Sequence, residues 1–162
     1  MLIGICSDSH DHVMHIKKAV QIFKKHKVAK VIHAGDYCSP FTIPLFTGLN
    51  LHGVLGNNDG DTILLMKKFS EINAELHGGF YSFETENLKF AVYHGTYPEI
   101  TRSLELSGRY NVVISGHTHE PSLETVDDTI SINPGSVHGF NNDAMIAIFN
   151  TQRQSLQFIE LN

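Results

Sequence analysis

An aspartate and a histidine follow an apolar segment near the start of the chain, at a spacing that suits a metal ion. Asp8 and His10 come directly after residues 2–6, whose apolar and β-branched composition is typical of a strand buried on both faces. In open α/β sheets, ligands bind beyond the carboxyl ends of the strands. Taken alone, the pair could equally be a helix cap and a polar loop residue. Other segments must therefore distinguish metal binding from a structural role.

Side chains of the same kind follow four further apolar segments. Glycine stands beside most of them, and it allows the backbone to turn sharply and to approach a bound group closely. Two aspartates, four histidines and one asparagine are too many ligands for one transition metal, and they suit two metal ions that share a carboxylate. Mixed nitrogen and oxygen ligands favour manganese, iron, zinc or nickel over calcium. The seven candidate ligands are Asp8, His10, Asp36, Asn57, His94, His117 and His119.

The elements that position the first of these residues alternate between strands and helices. A strand–helix–strand order gives parallel strands with right-handed crossovers, so that their carboxyl ends meet at one edge of a sheet. Apolar periodicity predicts strands at residues 2–6, 29–34 and 51–55, and helices at residues 13–27, 40–49 and 62–72.

From residue 74 onward, short strands follow one another with turns between them. Their order predicts a second sheet that is antiparallel or mixed. The chain contains no linker, repeat or low-complexity run that would divide it, so we expect residues 1–162 to form one domain with two sheets. The predicted strands are 80–84, 88–94, 112–115, 122–126, 130–133, 145–150 and 156–161, with a single helix at 99–109.

The composition excludes several classes of protein. A chain of 162 residues with 41% hydrophobic and 18% charged residues is typical of a globular domain. The net charge of −5 argues against nucleic acid as the main partner, because binding to phosphate backbones needs a basic patch. No apolar run reaches the roughly 20 residues that span a bilayer, and no signal-peptide pattern is present, so we expect a cytoplasmic protein that does not bind a membrane.

Two cysteines do not make a disulfide framework. Cys6 and Cys38 are therefore interpreted as small buried hydrophobic residues, although Cys38 is close in sequence to a candidate ligand.

The ordered motifs Asp-x-His, Gly-Asp, Gly-Asn-Asn-Asp, His and Gly-His-x-His cover nearly the whole chain, and they resemble the motif series of the calcineurin-like metallophosphoesterase superfamily. The short length and residues 7–12 and 133–136 look like its small prokaryotic phosphodiesterase branch, the YfcE-like proteins. This resemblance implies an α/β (α+β) fold, a four-layer αββα sandwich of two mixed sheets flanked by helices. It also implies two divalent metal ions per chain, with manganese the first choice.

Roles for the candidate ligands follow from the same resemblance. A hydroxide that bridges the two metals would attack the phosphorus of a small phosphodiester in line. By position, the first metal would be held by Asp8, His10 and His119, the second by Asn57, His94 and His117, and Asp36 would bridge them.

One position departs from the family pattern. The family's Gly-Asn-His-Asp/Glu motif supplies a histidine near the leaving group, and Asn58 stands there instead. An amide cannot donate a proton as an imidazolium does, but it can hydrogen-bond to a phosphoryl oxygen. We therefore expect Asn58 to stabilise charge and the enzyme to prefer esters with good leaving groups. Asp59, at the acidic position, either orients the site or caps the following helix.

Weaker predictions concern residues outside the motif positions. His138 is a candidate substitute proton donor, and Asn133 and Ser136 are candidates to line the pocket. Exposed phenylalanines could form the interface of a homo-oligomer, and the candidates are Phe41, Phe46 and Phe140. Ser7, Ser9, Asp11 and His12 are interpreted as supports or bystanders. The remaining histidines, His15, His26, His33, His52 and His77, match no motif and are interpreted as surface or core residues.

Two other functions are compatible with the same residues. A phosphomonoesterase acting on a small metabolite or a phosphoprotein would use the same metal site. The resemblance also extends to a non-catalytic scaffold, because the eukaryotic retromer subunit has this fold. The full ligand set favours catalysis, and Asn58 argues slightly against it.

Overall fold

The chain folds into two stacked β-sheets with helices on both outer faces. The computed structural model describes residues 1–140 and 142–161. The helices are α1 (Val13–Lys25), a 3₁₀ helix (Pro40–Phe46), α2 (Thr62–Glu71) and α3 (Pro98–Leu106). The strands are β1 (Leu2–Cys6), β2 (Lys30–His33), β3 (Leu51–Gly53), β4 (Glu75–Leu76), β5 (Phe80–Thr85), β6 (Leu88–Tyr93), β7 (Val112–Ile114), β8 (Ser122–Val126), β9 (Thr129–Asn133), β10 (Met145–Asn150) and β11 (Ser155–Glu160).

The first sheet has the strand order β11-β10-β1-β2-β3-β4. Strands β1 to β4 run parallel, whereas β10 and β11 pair in an antiparallel manner beside β1. The parallel run places the carboxyl ends of β1, β2 and β3 at one edge, as the sequence predicted. The loops that leave these three strands therefore begin side by side.

The second sheet has the strand order β5-β6-β7-β9-β8. Its central strands β6, β7 and β9 are parallel, and the edge strands β5 and β8 are antiparallel to their neighbours. The hairpins predicted at residues 85–87 and 127–129 join β5 to β6 and β8 to β9. Both sheets are mixed, which confirms the predicted fold class.

Two apolar cores separate the layers. One lies between the first sheet and the helices α1, α2 and the 3₁₀ helix, and it contains Phe23, Leu51 and Phe69. The other lies between the two sheets and contains Phe90 and Phe149. Helix α3 contacts β7 and β9, so it covers the outer face of the second sheet and completes the αββα sandwich. In the residues that the structure describes, no helix has the length and hydropathy to cross a membrane.

The last two strands join the first sheet, which differs from the prediction that the second half forms the second sheet. On β10, Ile146 and Ile148 belong to the helix-side core, whereas Ala147 and Phe149 belong to the core between the sheets. A strand with two buried faces needs cover on both sides, and the position next to β1 provides it. The two-residue strand β4 was not predicted, because it is too short to show a periodicity.

Phe46 is buried, so the prediction that it is exposed at an interface was wrong. Thr42, Ile43 and Phe46 lie on the inner face of the 3₁₀ helix, and Phe46 packs in the helix-side core. Phe41 and Phe140 are exposed, as predicted, at 62% and 47% of their full accessibility.

Candidate metal centre

The loops after five strands bring the predicted ligands together at one edge of the sandwich. Asp8 and His10 follow β1, and Asp36 follows β2. The loops are joined by backbone hydrogen bonds, in which the Asp8 N–H donates to Gly35 O at 3.0 Å and the His10 N–H donates to Asp36 O at 3.1 Å. The second sheet contributes His94 after β6 and the His117–His119 loop after β7. The site therefore lies where the two sheets meet.

One group of converging ligand atoms consists of Asp8, His10 and His119. His119 Nε2 lies 3.2 Å from Asp8 Oδ1 and 3.4 Å from His10 Nε2. His10 Nε2 lies 3.9 Å from the same carboxylate oxygen. The neighbouring Asp8 carboxylate raises the pKa of His119, against the effect of burial. These are the three residues that the sequence assigned to the first metal.

A second group consists of Asp8, Asp36 and His94. His94 Nε2 lies 3.4 Å from Asp36 Oδ2 and 3.0 Å from Asn57 Oδ1. Asp36 Oδ2 also lies 3.6 Å from His10 Nε2, so this carboxylate of the second group approaches a ligand of the first, and Asp8 belongs to both. Burial lowers the pKa of His94, but the contact with Asp36 outweighs it and the pKa is raised.

His117 lies beside these groups, but its imidazole is in neither of the two converging sets found among the described residues. Its ring centroid is 5.2 Å from that of His94, and its backbone N–H donates to Asp8 Oδ2 at 3.0 Å. A cavity of about 370 Å³ opens next to His117 and is also lined by Arg102, Glu105 and Glu124. Its volume is in the range of sites for small molecules.

The donor set fits a divalent cation. Asp8 Oδ1 is buried and has no hydrogen-bond partner among the described residues, although two imidazole nitrogens lie within 4 Å of it. A buried carboxylate oxygen without a donor is costly unless another positive group satisfies it. Carboxylate oxygens and imidazole nitrogens that converge in this way suit a transition-metal ion.

The backbone is strained at the same positions. Asp8 (φ 52°), Asp36 (φ 61°) and His119 (φ 62°) all lie in the left-handed region, and so do His10 and His117. Side chains other than glycine rarely adopt this conformation, and such strain concentrates at functional sites. The fold therefore holds these residues in place at a cost in backbone energy.

Asp59 orients the loop that carries Asp36. Its carboxylate accepts hydrogen bonds from the backbone N–H groups of Asp36, Cys38 and Gly56 at 3.0, 2.9 and 2.7 Å. Burial raises the pKa of Asp59, although these N–H groups oppose the shift. The alternative role as a helix cap is wrong, because Asp61 caps α2 by accepting a hydrogen bond from the Leu64 N–H.

Asn58 contacts Asp36 directly. Its backbone N–H donates to Asp36 Oδ1 at 2.9 Å, and its side-chain Nδ2 donates to Asp36 Oδ2 at 2.7 Å. Burial works to raise the pKa of Asp36, but the hydrogen bonds from His94 and Asn58 outweigh it and hold the pKa well below its usual range. The Asn58 side chain is otherwise exposed, so one of its two amide hydrogens stays available to a substrate. Gly56 is required here, because any side chain would collide with the Asp36 carboxylate.

Several supporting contacts were not predicted from the sequence. Asn133 Nδ2 donates to Gly116 O at 2.8 Å, and Ser136 Oγ donates to Asp8 O at 2.9 Å, so both hold the loops that carry the ligands. Cys38 Sγ lies 3.2 Å from His10 Nδ1 and is only half-buried, so it contacts the site and is not a core residue. Cys6 is buried, as predicted. Only the sequence proximity of Cys38 to Asp36 could have indicated this role.

His138 lies near the site, as its prediction as a proton donor requires, but its ring faces Phe140. The two rings stack at 3.7 Å, and the His138 ring is 6.0 Å from that of His10. Burial and the neighbouring histidines lower the pKa of His138. A neutral imidazole at this position is a poor proton donor at neutral pH.

His33 contacts the loops that follow β1 and β2. It is fully buried, it lies 3.0 Å from Ser9 Oγ through Nε2, and its Nδ1 accepts a hydrogen bond from the Gly35 N–H at 3.2 Å. Burial lowers the pKa of His33 to about 3. The imidazole is therefore neutral in the folded protein, whereas in the unfolded chain it binds a proton below about pH 6.5.

Acid should consequently destabilise the protein through His33. The unfolded state binds more protons between the two pKa values, so the free energy of unfolding falls as the pH falls from 6.5 towards 3. Between pH 6.5 and pH 4 we expect this residue to contribute a loss of about 3 kcal/mol. Urea denaturation at several pH values measures the loss, and the His33→Gln variant should show a flatter profile over that interval. Parallel profiles for the two proteins would contradict the prediction.

Comparison with known proteins shows the family and agrees with the fold. Residues 1–154 match the calcineurin-like phosphoesterase superfamily domain, and the chain belongs to that superfamily. It is 41% identical over 165 residues to a protein of Methanocaldococcus jannaschii named phosphodiesterase MJ0936, with 99% of each chain covered.

Solved structures show the same relationship. The structure of an archaeal protein described as a novel phosphodiesterase superposes with a TM-score of 0.95 at 40% identity, covering 99% of this chain and 100% of the other. The Escherichia coli phosphoesterase YfcE superposes with a TM-score of 0.73 at 17% identity and full coverage of both chains, and it shares the fold. The predicted superfamily and the predicted similarity to YfcE-like proteins are thus confirmed.

Proposed function

We propose that this protein is a metal-dependent phosphodiesterase that hydrolyses small phosphodiesters. The observation that carries the proposal is the pair of ligand groups that share Asp8. In addition, Asp36 Oδ2 of the second group lies 3.4 Å from His94 Nε2 and 3.6 Å from His10 Nε2 of the first group. The name of the relative from Methanocaldococcus jannaschii supports the same reaction. We further propose that residues 1–162 act as one metallophosphoesterase domain.

In this proposal the site holds two divalent cations, of which manganese is the first choice and iron, zinc and nickel also suit the ligands. When bound, two such ions would supply a hydroxide nucleophile at neutral pH and would neutralise charge on the phosphoryl oxygens. One cation would be held by Asp8, His10 and His119 and the other by Asn57, His94 and His117, and Asp36 would be shared by both.

The protein's own residues have separate tasks. Asp36 keeps its charge because Asn58 and His94 hydrogen-bond to it, and Asp59 fixes the backbone on which it stands. The free amide hydrogen of Asn58 is available to a phosphoryl oxygen. One ester group of the substrate fits the cavity beside His117, whose volume suits a small molecule and not a nucleic-acid duplex.

Among the described residues around Asn58, we find no side chain that would donate a proton to the departing oxygen of the leaving group. An amide cannot give up a proton, and His138 is stacked on Phe140 with its pKa lowered by burial and by the neighbouring histidines, which disfavours its protonated form. The enzyme should therefore act best on esters whose leaving group departs without protonation, such as aryl phosphodiesters.

A panel of aryl and alkyl phosphodiesters and phosphomonoesters tests the proposal. Metal-stripped protein should be inactive, and restored manganese should recover hydrolysis with aryl diesters as the best substrates. Faster hydrolysis of monoesters would favour a phosphomonoesterase. Full metal occupancy without hydrolysis of any ester would contradict an enzymatic role and favour a binding module.

A further inference from the structure

A third group of side chains that could hold a metal ion lies at the edge of the first sheet, away from the candidate metal centre described above. His52 is on β3, Glu75 is on β4 and His77 follows β4, and their ligand atoms all lie within 4.8 Å of one another. His52 Nδ1 is 3.1 Å from His77 Nε2. Glu75 Oε2 is 3.9 Å from the first of these nitrogens and 3.7 Å from the second.

The sheet itself fixes these positions. His52 is paired with Glu75 in the parallel register of β3 and β4, and the His77 N–H donates to Gly53 O at 2.9 Å. The His77 ring also stacks on Tyr81, with ring centroids 3.7 Å apart and planes 7° from parallel. The three side chains are therefore held together by backbone pairing and ring stacking.

We propose that His52, Glu75 and His77 bind one divalent transition-metal ion, with zinc as the best match. Two imidazole nitrogens and one carboxylate oxygen are a donor set that zinc adopts with its fourth position open. The Glu75 side chain is 65% exposed and that of His77 is 22% exposed, so an ion can enter and water can complete its coordination. The ion would tie the two-residue strand β4 to β3.

A neighbouring amide prepares His52 for this role. His52 Nε2 lies 3.1 Å from Asn50 Oδ1, which can accept its N–H. With the proton on Nε2, the lone pair of Nδ1 points towards His77 and Glu75. A carbonyl oxygen that accepts from the second ring nitrogen is the usual way in which a ligating histidine is oriented.

Lys30 competes with the ion. Its Nζ lies 3.0 Å from His52 Nε2 and 3.2 Å from Tyr81 Oη. Without an ion, Lys30 can donate to Nε2, and His52 can then donate through Nδ1 to His77. With an ion bound, His52 takes the other tautomer and Lys30 donates to Tyr81 alone. Removing the ammonium should therefore strengthen ion binding.

The zinc content of metal-stripped protein after dialysis against zinc tests the site directly. His77→Gln should bind one zinc ion fewer per chain than the wild type. The matched control His26→Gln removes an imidazole near the end of α1, outside all three groups of ligands, and it should bind as much zinc as the wild type. Any ions at the first centre contribute equally to all three proteins, so the difference does not depend on the proposed phosphodiesterase function.

Two further variants test the same site without depending on the folding of His77→Gln. Glu75→Gln removes the charged ligand from an exposed position and should weaken zinc binding without unfolding the protein. Lys30→Met should bind zinc more tightly than the wild type. Zinc should also raise the melting temperature of the wild type by more than that of His77→Gln. Equal zinc content and equal thermal shifts in the wild type, His77→Gln and Glu75→Gln would overturn the proposal, and so would weaker zinc binding by Lys30→Met.

Discussion

Asp36→Asn should lower the turnover of an aryl phosphodiester by about 10³-fold, or ~4 kcal/mol of transition-state stabilisation. The Asp36 carboxylate has an oxygen 3.6 Å from His10 Nε2 and 3.4 Å from His94 Nε2. An asparagine removes the negative charge and replaces one oxygen with an NH₂ group, which cannot bind a cation. If that group takes the Oδ2 position, it also faces the donating amide of Asn58. Steady-state hydrolysis with manganese, together with the metal content of the purified variant, measures the effect.

Asp61→Asn is the matched control for this substitution. Asp61 caps α2 and lies outside both ligand groups, and asparagine is an equally good cap. This variant should keep the activity, the metal content and the stability of the wild type. An Asp36→Asn variant that keeps full metal content and more than a tenth of the turnover would show that Asp36 does not link the two groups.

Asn58→His should raise the turnover of alkyl phosphodiesters by about tenfold or more, since general-acid help is often worth 10²–10⁴-fold. The Asn58 side chain is exposed beside Asp36, so an imidazole fits there without disturbing the core. Its protonated form can give a proton to a poor leaving group. Aryl diesters, whose leaving groups need no proton, should gain little. Comparing turnover for the two ester classes in the variant and the wild type measures the gain.

The pH profile and a second variant test whether the gain comes from proton donation. The advantage of Asn58→His should disappear as the pH rises above about 7, because the imidazolium loses its proton. Asn58→Gln keeps an amide and should show no gain at any pH. If Asn58→His left alkyl diesters unchanged, the missing proton donor would not be what limits the enzyme.

The clustering of Asp8 and Asp36 could be predicted because each follows an apolar segment of the parallel part of the chain, and parallel strands of one sheet end at a common edge. His94 lies on the second sheet, so only the ordered motif series and its resemblance to the superfamily indicated that it joins them. The sequence also indicated the departure at Asn58, since it occupies a position where the family has histidine. What it could not indicate is that Asn58 donates to Asp36.

The contacts of the supporting residues could not be predicted for a physical reason. Asn133 and Ser136 were predicted to line the pocket, but the loops that they hold are far away in the sequence, and only the packing of the two sheets brings them close. His33 was interpreted only as a surface or core residue, and its contact with Ser9 depends on the register of β1 and β2. His52, Glu75 and His77 show no shared motif, because the two-residue strand β4 that aligns them leaves no periodic pattern.

The origin of the ligands in two different sheets has a thermodynamic consequence. Asp8 and Asp36 come from the first sheet, whereas His94 and His119 come from the second, so the proposed cations would bind only while the sheets are docked. Ion binding and sheet docking are then linked equilibria, and each favours the other. A substitution in the core between the sheets, such as Phe149→Ala, would weaken ion binding without touching a ligand. Metal affinity in this protein would thus report on the tertiary order of the whole sandwich.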